Sequence, residues 1–511
     1  MQSSAPQVVT EVADPTAQLL TRIVTEFEDL VKQLWVYAQH NPQADFSALE
    51  DRARQLHSEC FASALAVAAG LHRTHIEEKW LLGKEHCECG CGCSPQYKGT
   101  QRRTLQTWVG AVTLERSYFY CKRCRTGRYP LDEALSLPAG EHFSDGVQQG
   151  VCLLGVQMGF EQASHALDMV GGICISPKEA ERMTEQHGLA LEESLQAEDQ
   201  QLLLLSERPA PVPVPVPVAR AGMAGMAGMA GMAGMAGMAG MAGLAGLAGL
   251  AGLAGVWAVS LDAGKVRYQD GWHDAKAGVV FWAEPAYNEQ GELGELTGGR
   301  ATKQSYIAEC GSMEEAGGRL AAEAWRRGVG ADDVVVCLGD GAPSNWVQFD
   351  EHFPNRVEVL DWYHAMEHLW AAGNGIFGQG TPEAMRWVKQ WEKELWEGSV
   401  EAVIVALHRE SKREGEAGQA AREQIHYFEA NRERMRYSEY RAAGYPIGSG
   451  TVESACKRLI GARMKGAGMC WSKPGAQGVL TLRAELLSGR WVQSWPRTRW
   501  PRTRVPLSKV A

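Results

Sequence analysis

Two aspartates close apolar, β-branched runs: Asp262 in VWAVSLDAG and Asp340 in VVVCLGDGAPSNW. Glu453 opens a helix-like stretch in GSGTVES. Carboxylates carried by two strands and a helix can converge without being neighbours in sequence. Mg²⁺ prefers hard oxygen ligands and keeps several waters, so a few carboxylates suffice to hold it. Two such ions about 4 Å apart can activate an attacking oxygen and stabilise a leaving one, which is the chemistry of metal-assisted phosphodiester cleavage. Each carboxylate also has a plain structural use. Asp340-Gly and Asp262-Ala-Gly suit turns, and a glutamate near a helix N-terminus is favoured by the dipole alone.

A second constellation competes. DWYHAMEHL, residues 361–369, contains His-x-x-Glu-His. On a helix His364 and His368 share a face with Glu367 beside them, as in inverted zinc metallopeptidases. That reading needs a third ligand and leaves Asp262, Asp340 and Glu453 without a use, so zinc metallopeptidase is the remote alternative.

Thirteen cysteines in 511 residues do not make a disulfide scaffold, and six of them fall between Cys87 and Cys124. That clustering points to metal binding in a reducing compartment. Cys121-Lys-Arg-Cys124 is half of a zinc ribbon. For its partner pair HCECGCGC offers Cys87, Cys89, Cys91, Cys93 and His86, with no two of the cysteines in Cys-x-x-Cys register; Cys89 and Cys93 are chosen. The expectation is a closed, four-ligand structural Zn²⁺ site, against the alternative of free thiols in a loop.

The elements that position these groups divide the chain into parts. Residues 1–85 carry helical apolar periodicity, and 86–135 form a zinc-ribbon-like cysteine unit with a strand-rich centre in which Val-Gly-Ala suits a hairpin turn. Residues 143–200 are helical and resemble a helix-turn-helix, with Ser176 as N-cap, Pro177 at the first helical position, Glu179 closing a capping box, and Lys178 and Arg182 on the second helix. Residues 206–256, Pro-Val alternation followed by Ala-Gly-Met/Leu triplets, read as a low-complexity linker. As a membrane span, Gly and Ala would supply little apolar surface. Residues 257–490 alternate between strand and helix, turn helical and Trp-rich over about 370–440, and end in a basic tail, 491–511.

The net charge of −10 hides an asymmetry. Between Tyr97 and Pro130 eight Lys/Arg face one acidic residue, Glu115; from Ala455 onward twelve face Glu485 alone. Such segments in an acidic protein point to localised contact with a polyanion. Candidate contacts are Arg102, Arg103, Lys122 and Arg123 in the first segment and Lys457, Arg458, Arg463 and Lys465 in the second. No secretory leader pattern is present, so the cytoplasm is expected.

From Cys89 to about Trp491 the sequence resembles the ISKra-type bacterial insertion-sequence transposases, distant relatives of Mutator-like transposases. The resemblance rests on YKGTQRRTLQTWVGAVTLERSYFYCKRCRTGRYPLDEALSL, WHDAKAGVVFWAE, LGDGAPSNW, DWYHAMEHL and, most specifically, YPIGSGTVESACKRLIGARMKGAGMCWS. It implies a multidomain α+β protein with a ribonuclease H-like α/β catalytic core and a helical insertion, following the helical, zinc-ribbon-like and helix-turn-helix-like units. Asp262, Asp340 and Glu453 would be the DDE carboxylates that bind Mg²⁺ or Mn²⁺, with Asp270 and Asp274 close behind Asp262. Asp361 and His364 would be auxiliary active-site residues. The implied reaction is hydrolysis at the element's end followed by attack of the 3′-OH on target DNA. Double-stranded DNA, bearing the terminal inverted repeats or the target, would be the partner. A homo-oligomer on DNA, with no membrane association and a nucleoid location in a bacterial cytoplasm, is the further expectation. A DNA-binding derivative without activity is the alternative.

Overall fold

A computed structural model describes residues 15–82, 91–137, 140–204, 255–284, 300–448 and 450–495; the side chains of 451–453 are not among the described ones. The Cys89 assignment, nearly all of the 206–256 linker and most of the basic tail therefore lie outside the described residues. The chain is a multidomain α+β protein of two compact units. One is built on residues up to Gly155 with Phe160–Met183, the other on Val156–Gly159 and the chain from Thr184. Among the described residues no helix is long and apolar enough to cross a membrane.

In the first unit α1 (Pro15–His40) and α2 (Phe46–Leu81) pack together, the second started by the Asp45 side chain accepting from the Ala48 amide at 2.9 Å. The antiparallel strands β1 (Gln96–Thr107), β2 (Gly110–Cys121) and β3 (Thr126–Arg128) follow in that order. Leu105, Val112 and Leu114 alternate onto one face, where Ala62 and Ala69 of α2 meet them. Small side chains on the helix allow that close approach. The hairpin turn falls at Trp108-Val109, taking in the first residue of the expected Val-Gly-Ala, with Gly110 opening β2 at φ +102°. Beyond the short α3 (Pro130–Ala134) come α4 (Asp145–Gly155), α5 (Phe160–Gly171) and α6 (Pro177–Leu204), the last running on into the second unit. Ser176 caps α6 as expected, accepting from the Glu179 amide at 3.1 Å. The Glu179 carboxylate bonds Arg182 Nε at 2.9 Å.

The second unit is centred on a five-stranded sheet of order β6-β5-β4-β7-β8. Strands β4 (Val256–Tyr268), β5 (Gly271–Glu284) and β6 (Arg300–Glu309) are antiparallel neighbours, whereas β7 (Val335–Gly339) and β8 (Arg356–Leu360) run parallel to β4. All five residues of β7 are buried, as expected of a central parallel strand covered on both faces. After β6, α7 (Met313–Arg326) packs on β4, β5 and β6, started by a Ser312–Glu315 capping box. α8 (Pro343–His352) links β7 to β8. A helical insertion follows: α9 (Trp362–Phe377), α10 (Pro382–Trp396), α11 (Val400–Glu410), α12 (Glu416–Asn431) and α13 (Tyr437–Ala442). The chain then returns to the sheet through α14 (Gly450–Cys456), a π-helical turn (Lys457–Gly461), α15 (Ala462–Met464) and α16 (Lys473–Leu487).

Candidate active site

The strand order decides where the carboxylates fall. β4 and β7 pair in parallel from Trp257–Val335 to Ser260–Leu338, so Asp262 and Asp340 both emerge just past the last shared pair. Ser260 Oγ donates to Leu338 O at 2.7 Å. Asp262 does not end its strand, since β4 runs on beside β5 to Tyr268. Asn345, buried in the first turn of α8, bridges the two strands: its Nδ2 donates to Leu261 O at 3.1 Å and to Asp340 Oδ1 at 3.0 Å. The Ala342 amide donates to the same Oδ1 at 2.9 Å, so Oδ2 accepts from neither group. Asp270 and Asp274 turn elsewhere, pairing with His273 at 3.0 Å and Lys265 at 2.9 Å.

Burial pushes the Asp262 carboxyl above its ordinary range. The Ala263 amide, 2.6 Å from Oδ1, and the Cys456 thiol oppose that shift, the Asp340 charge adds to it, and the His364 charge opposes it. Asp262, Asp340, His364 and Cys456 thus share one electrostatic neighbourhood. The folded state holds the Asp262 proton more tightly than the unfolded chain, so the ionised group costs stability at neutral pH. Asp262→Asn is therefore expected to raise the melting temperature in EDTA by about 2 °C. Mg²⁺ should raise the melting point of the wild type and not that of the variant, as differential scanning fluorimetry with and without the ion would report.

Glu453 lies in α14, which packs on β4 and β5. Position 453 is one helical turn before Cys456, whose thiol bonds Asp262, so both positions are on the same face of α14. The π turn that follows shifts the helical phase, and π turns inside helices frequently mark functional sites.

Asp361 is fully buried and caps α9. Its Oδ1 accepts from the His364 amide at 2.9 Å and lies 3.1 Å from His364 Nδ1, while its own amide donates to Gly339 O at 2.8 Å. The Asp361 hydrogen bond raises the His364 imidazole to about 9 against the opposing effect of burial, with the Asp361 and Asp340 charges adding to it. The imidazolium contributes stability that is complete below its ordinary 6.5 and is lost as pH rises through about 9. An NMR titration should find His364 charged at neutral pH, with its midpoint falling towards 6.5 in Asp361→Asn. His368 is committed elsewhere, with Nδ1 2.7 Å from Gln424 Oε1. Among the described residues His364, Glu367 and His368 belong to no group of three metal-ligating side chains.

The one such group among the described residues is Cys91, Cys121 and Cys124, whose sulfurs lie within 4.8 Å of one another. Cys91 takes the place expected for Cys93. Backbone N–H groups of Cys124 and Arg123 point at the Cys121 sulfur, favouring a thiolate. The neighbouring thiols and burial outweigh them and hold Cys121 up to about 11. Three converging thiols with amides aimed at sulfur are compatible with Zn²⁺.

The basic residues divide. Lys122 and Arg123 are exposed beside the cysteines, and Arg102 is exposed and paired with Glu115 at 3.2 Å. Lys178 is exposed and bonded to Glu181, while Arg182 is partly buried between Glu179 and Glu141. Lys457, Arg458 and Lys465 are exposed. Two depart from the expected DNA contacts. Arg103 is partly buried, with its guanidinium bonded to Asp132 and Glu141 O, and Arg463 is 1% exposed with its guanidinium over Trp471, so neither presents its charge to a phosphate. Sequence reasoning missed Asn345 and Cys456; a polar residue in the first turn after Asp-Gly was the available signal for the former.

Residues 45–204 match an uncharacterised protein family, UPF0236, so the cysteine unit and the helices after it are similar to that family. A search of curated proteins finds no match.

Proposed function

We propose that the protein is a DDE-type DNA transposase that binds the ends of an insertion sequence, cleaves them and transfers the strand. The observation that carries this reading is the placement of Asp262, within β4, and Asp340, just past the end of β7, each two residues beyond the last parallel pair of those strands, with α14 packed beside β4. The order β6-β5-β4-β7-β8, with β5 antiparallel to β4 and β7 and β8 parallel to it, supports a ribonuclease H-like core and with it this reading. Asp262, Asp340 and Glu453 would hold Mg²⁺ or Mn²⁺. Bound there, the ion would supply an activated water or 3′-OH and charge stabilisation at the leaving oxygen. The chain's own part is to orient the carboxylates through Asn345, Ala342 and Ala263, and to keep the His364 cation beside them, where a phosphate would meet it. Lys457, Arg458 and Lys465 are on the segment that follows Glu453 and would meet the DNA backbone. Arg102, Lys122, Arg123 and Lys178, in the first unit, would make DNA contacts of their own, in a nucleoid-bound homo-oligomer. Cys91, Cys121 and Cys124, with a fourth ligand from the cysteines before them, would hold a structural Zn²⁺.

Incubating the purified protein with Mg²⁺ or Mn²⁺ and a supercoiled plasmid bearing the element's terminal repeats tests the reading. End-specific cleavage is expected. Binding without cleavage would favour a DNA-binding derivative, and peptide hydrolysis lost in His364→Ala would revive the metallopeptidase.

A further inference from the structure

His368, the last residue of the His-x-x-Glu-His motif, has a place that the proposed chemistry does not explain. Its ring is stacked on Tyr427 of α12, with centroids 3.4 Å apart and planes 17° apart. Its Nδ1 lies 2.7 Å from Gln424, one turn before Tyr427 on the same helix. Tyr427 in turn donates its hydroxyl to the backbone carbonyl of Asp340 at 3.0 Å. Gly341, next in the chain, has φ +99°, and a Cβ on it would fall 2.8 Å from the Tyr427 ring. Burial pushes the Tyr427 phenol up, so it stays a donor at working pH.

The consequence follows from how Asp340 is oriented. Its Oδ1 bonds reach forward, to the Ala342 amide and the Asn345 side chain, across Gly341. Glycine has many backbone conformations, so a turn hinged on it needs an outside constraint. Tyr427 supplies two, a ring against the Gly341 α-carbon and a hydroxyl on the Asp340 carbonyl. Other tyrosines of the same stretch do likewise for β8: Tyr437 donates to Leu360 O at 3.0 Å and Tyr440 to Glu358 O at 3.1 Å.

We infer that Tyr427, braced by His368 and Gln424, is a positioning residue through which the helical insertion fixes the turn carrying Asp340 and so sets the affinity of the site for a divalent cation. This rests on the proposed carboxylate site. The experiment uses the full-length chain and two variants, Tyr427→Phe, which keeps the ring, and His368→Gln. Hydrogen exchange is followed over residues 339–345, and Mn²⁺ binding is followed by the electron paramagnetic resonance of the free ion. Both variants should exchange faster at Gly341 and Ala342 and need about fivefold more Mn²⁺ for half-saturation, the effect of one lost hydrogen bond. Cleavage at saturating metal should stay within about twofold of the wild type, because the carboxylates are intact. Unchanged exchange would overturn the inference. So would a lowered melting temperature with unmoved Mn²⁺ half-saturation, the mark of a merely structural contact. Asp340→Asn serves as the separate control. If it leaves Mn²⁺ binding unchanged, the carboxylate reading itself fails and this inference with it.

Discussion

Asp340→Ala is expected to lower Mg²⁺-dependent cleavage of element-end DNA by about 10³-fold or more. The metal's charge stabilisation amounts to several kcal/mol, and about 1.4 kcal/mol corresponds to each factor of ten in rate. Asp340 also receives Asn345 Nδ2 and the Ala342 amide, so alanine would remove shape as well as charge. Asp340→Asn separates the two. It preserves an oxygen for both donors and removes only the charge, and it should still fall by a comparable factor if metal binding is what matters. Asp262→Ala and Glu453→Gln should fall alike. Zinc content is the control for intact folding. Gel mapping of cleaved ends with each variant gives the readout, and cleavage that survives both Asp340→Ala and Glu453→Gln would sink the assignment.

The Asp262 environment explains why loss of charge is expected to dominate. The carboxyl is held up by burial and by the Asp340 charge, with the His364 cation and two hydrogen bonds opposing the shift. Two carboxylates drawn together at a cost in stability are poorly explained by folding alone, and a divalent cation would offset their repulsion.

Much of this arrangement was legible in the sequence, for identifiable reasons. Asp262 and Asp340 follow runs whose β-branched, apolar character marks buried strands, and Asp361 follows another. Strand β6 gives little signal because its first half, Arg300–Gln304, is mostly polar and only Ser305–Glu309 is buried. Contacts between distant positions left no local trace. Asn345 meets Leu261 across 84 residues, and Tyr427 meets Asp340 across 87. Arg463 looked like a surface cation at helical spacing, but the π turn before it changes the phase and turns it onto Trp471. The cysteine run misled differently. Alternate cysteines offer equivalent spacings, and only the fold of β2 and its turn selects Cys91 over Cys93.

That selection carries the second large expectation. Protein purified under reducing conditions should contain about one zinc per chain, and Cys91→Ser, Cys121→Ser and Cys124→Ser should each lose it while Cys93→Ser keeps it. Of Cys87 and Cys89, one should behave like Cys121. Structural zinc contributes about 10–16 kcal/mol of apparent binding energy in small peptides that have no other core. Here the sheet also rests on α2 through Leu105, Val112, Leu114, Ala62 and Ala69, so part of the unit's stability is independent of the metal. Zinc loss should therefore loosen the β2–β3 end, around Lys122 and Arg123, and leave the Leu105–Val112 end in place. Elemental analysis with hydrogen exchange over β1–β3 would report both effects. Full zinc retention in Cys121→Ser would remove the site, and uniform exchange along the sheet would show instead that the metal holds the whole unit. The DNA consequence follows from position. Lys122 and Arg123 are between the two cysteines of the β2 turn, so losing the ion should weaken binding to end-repeat DNA at moderate salt while the Asp340 site still binds Mn²⁺.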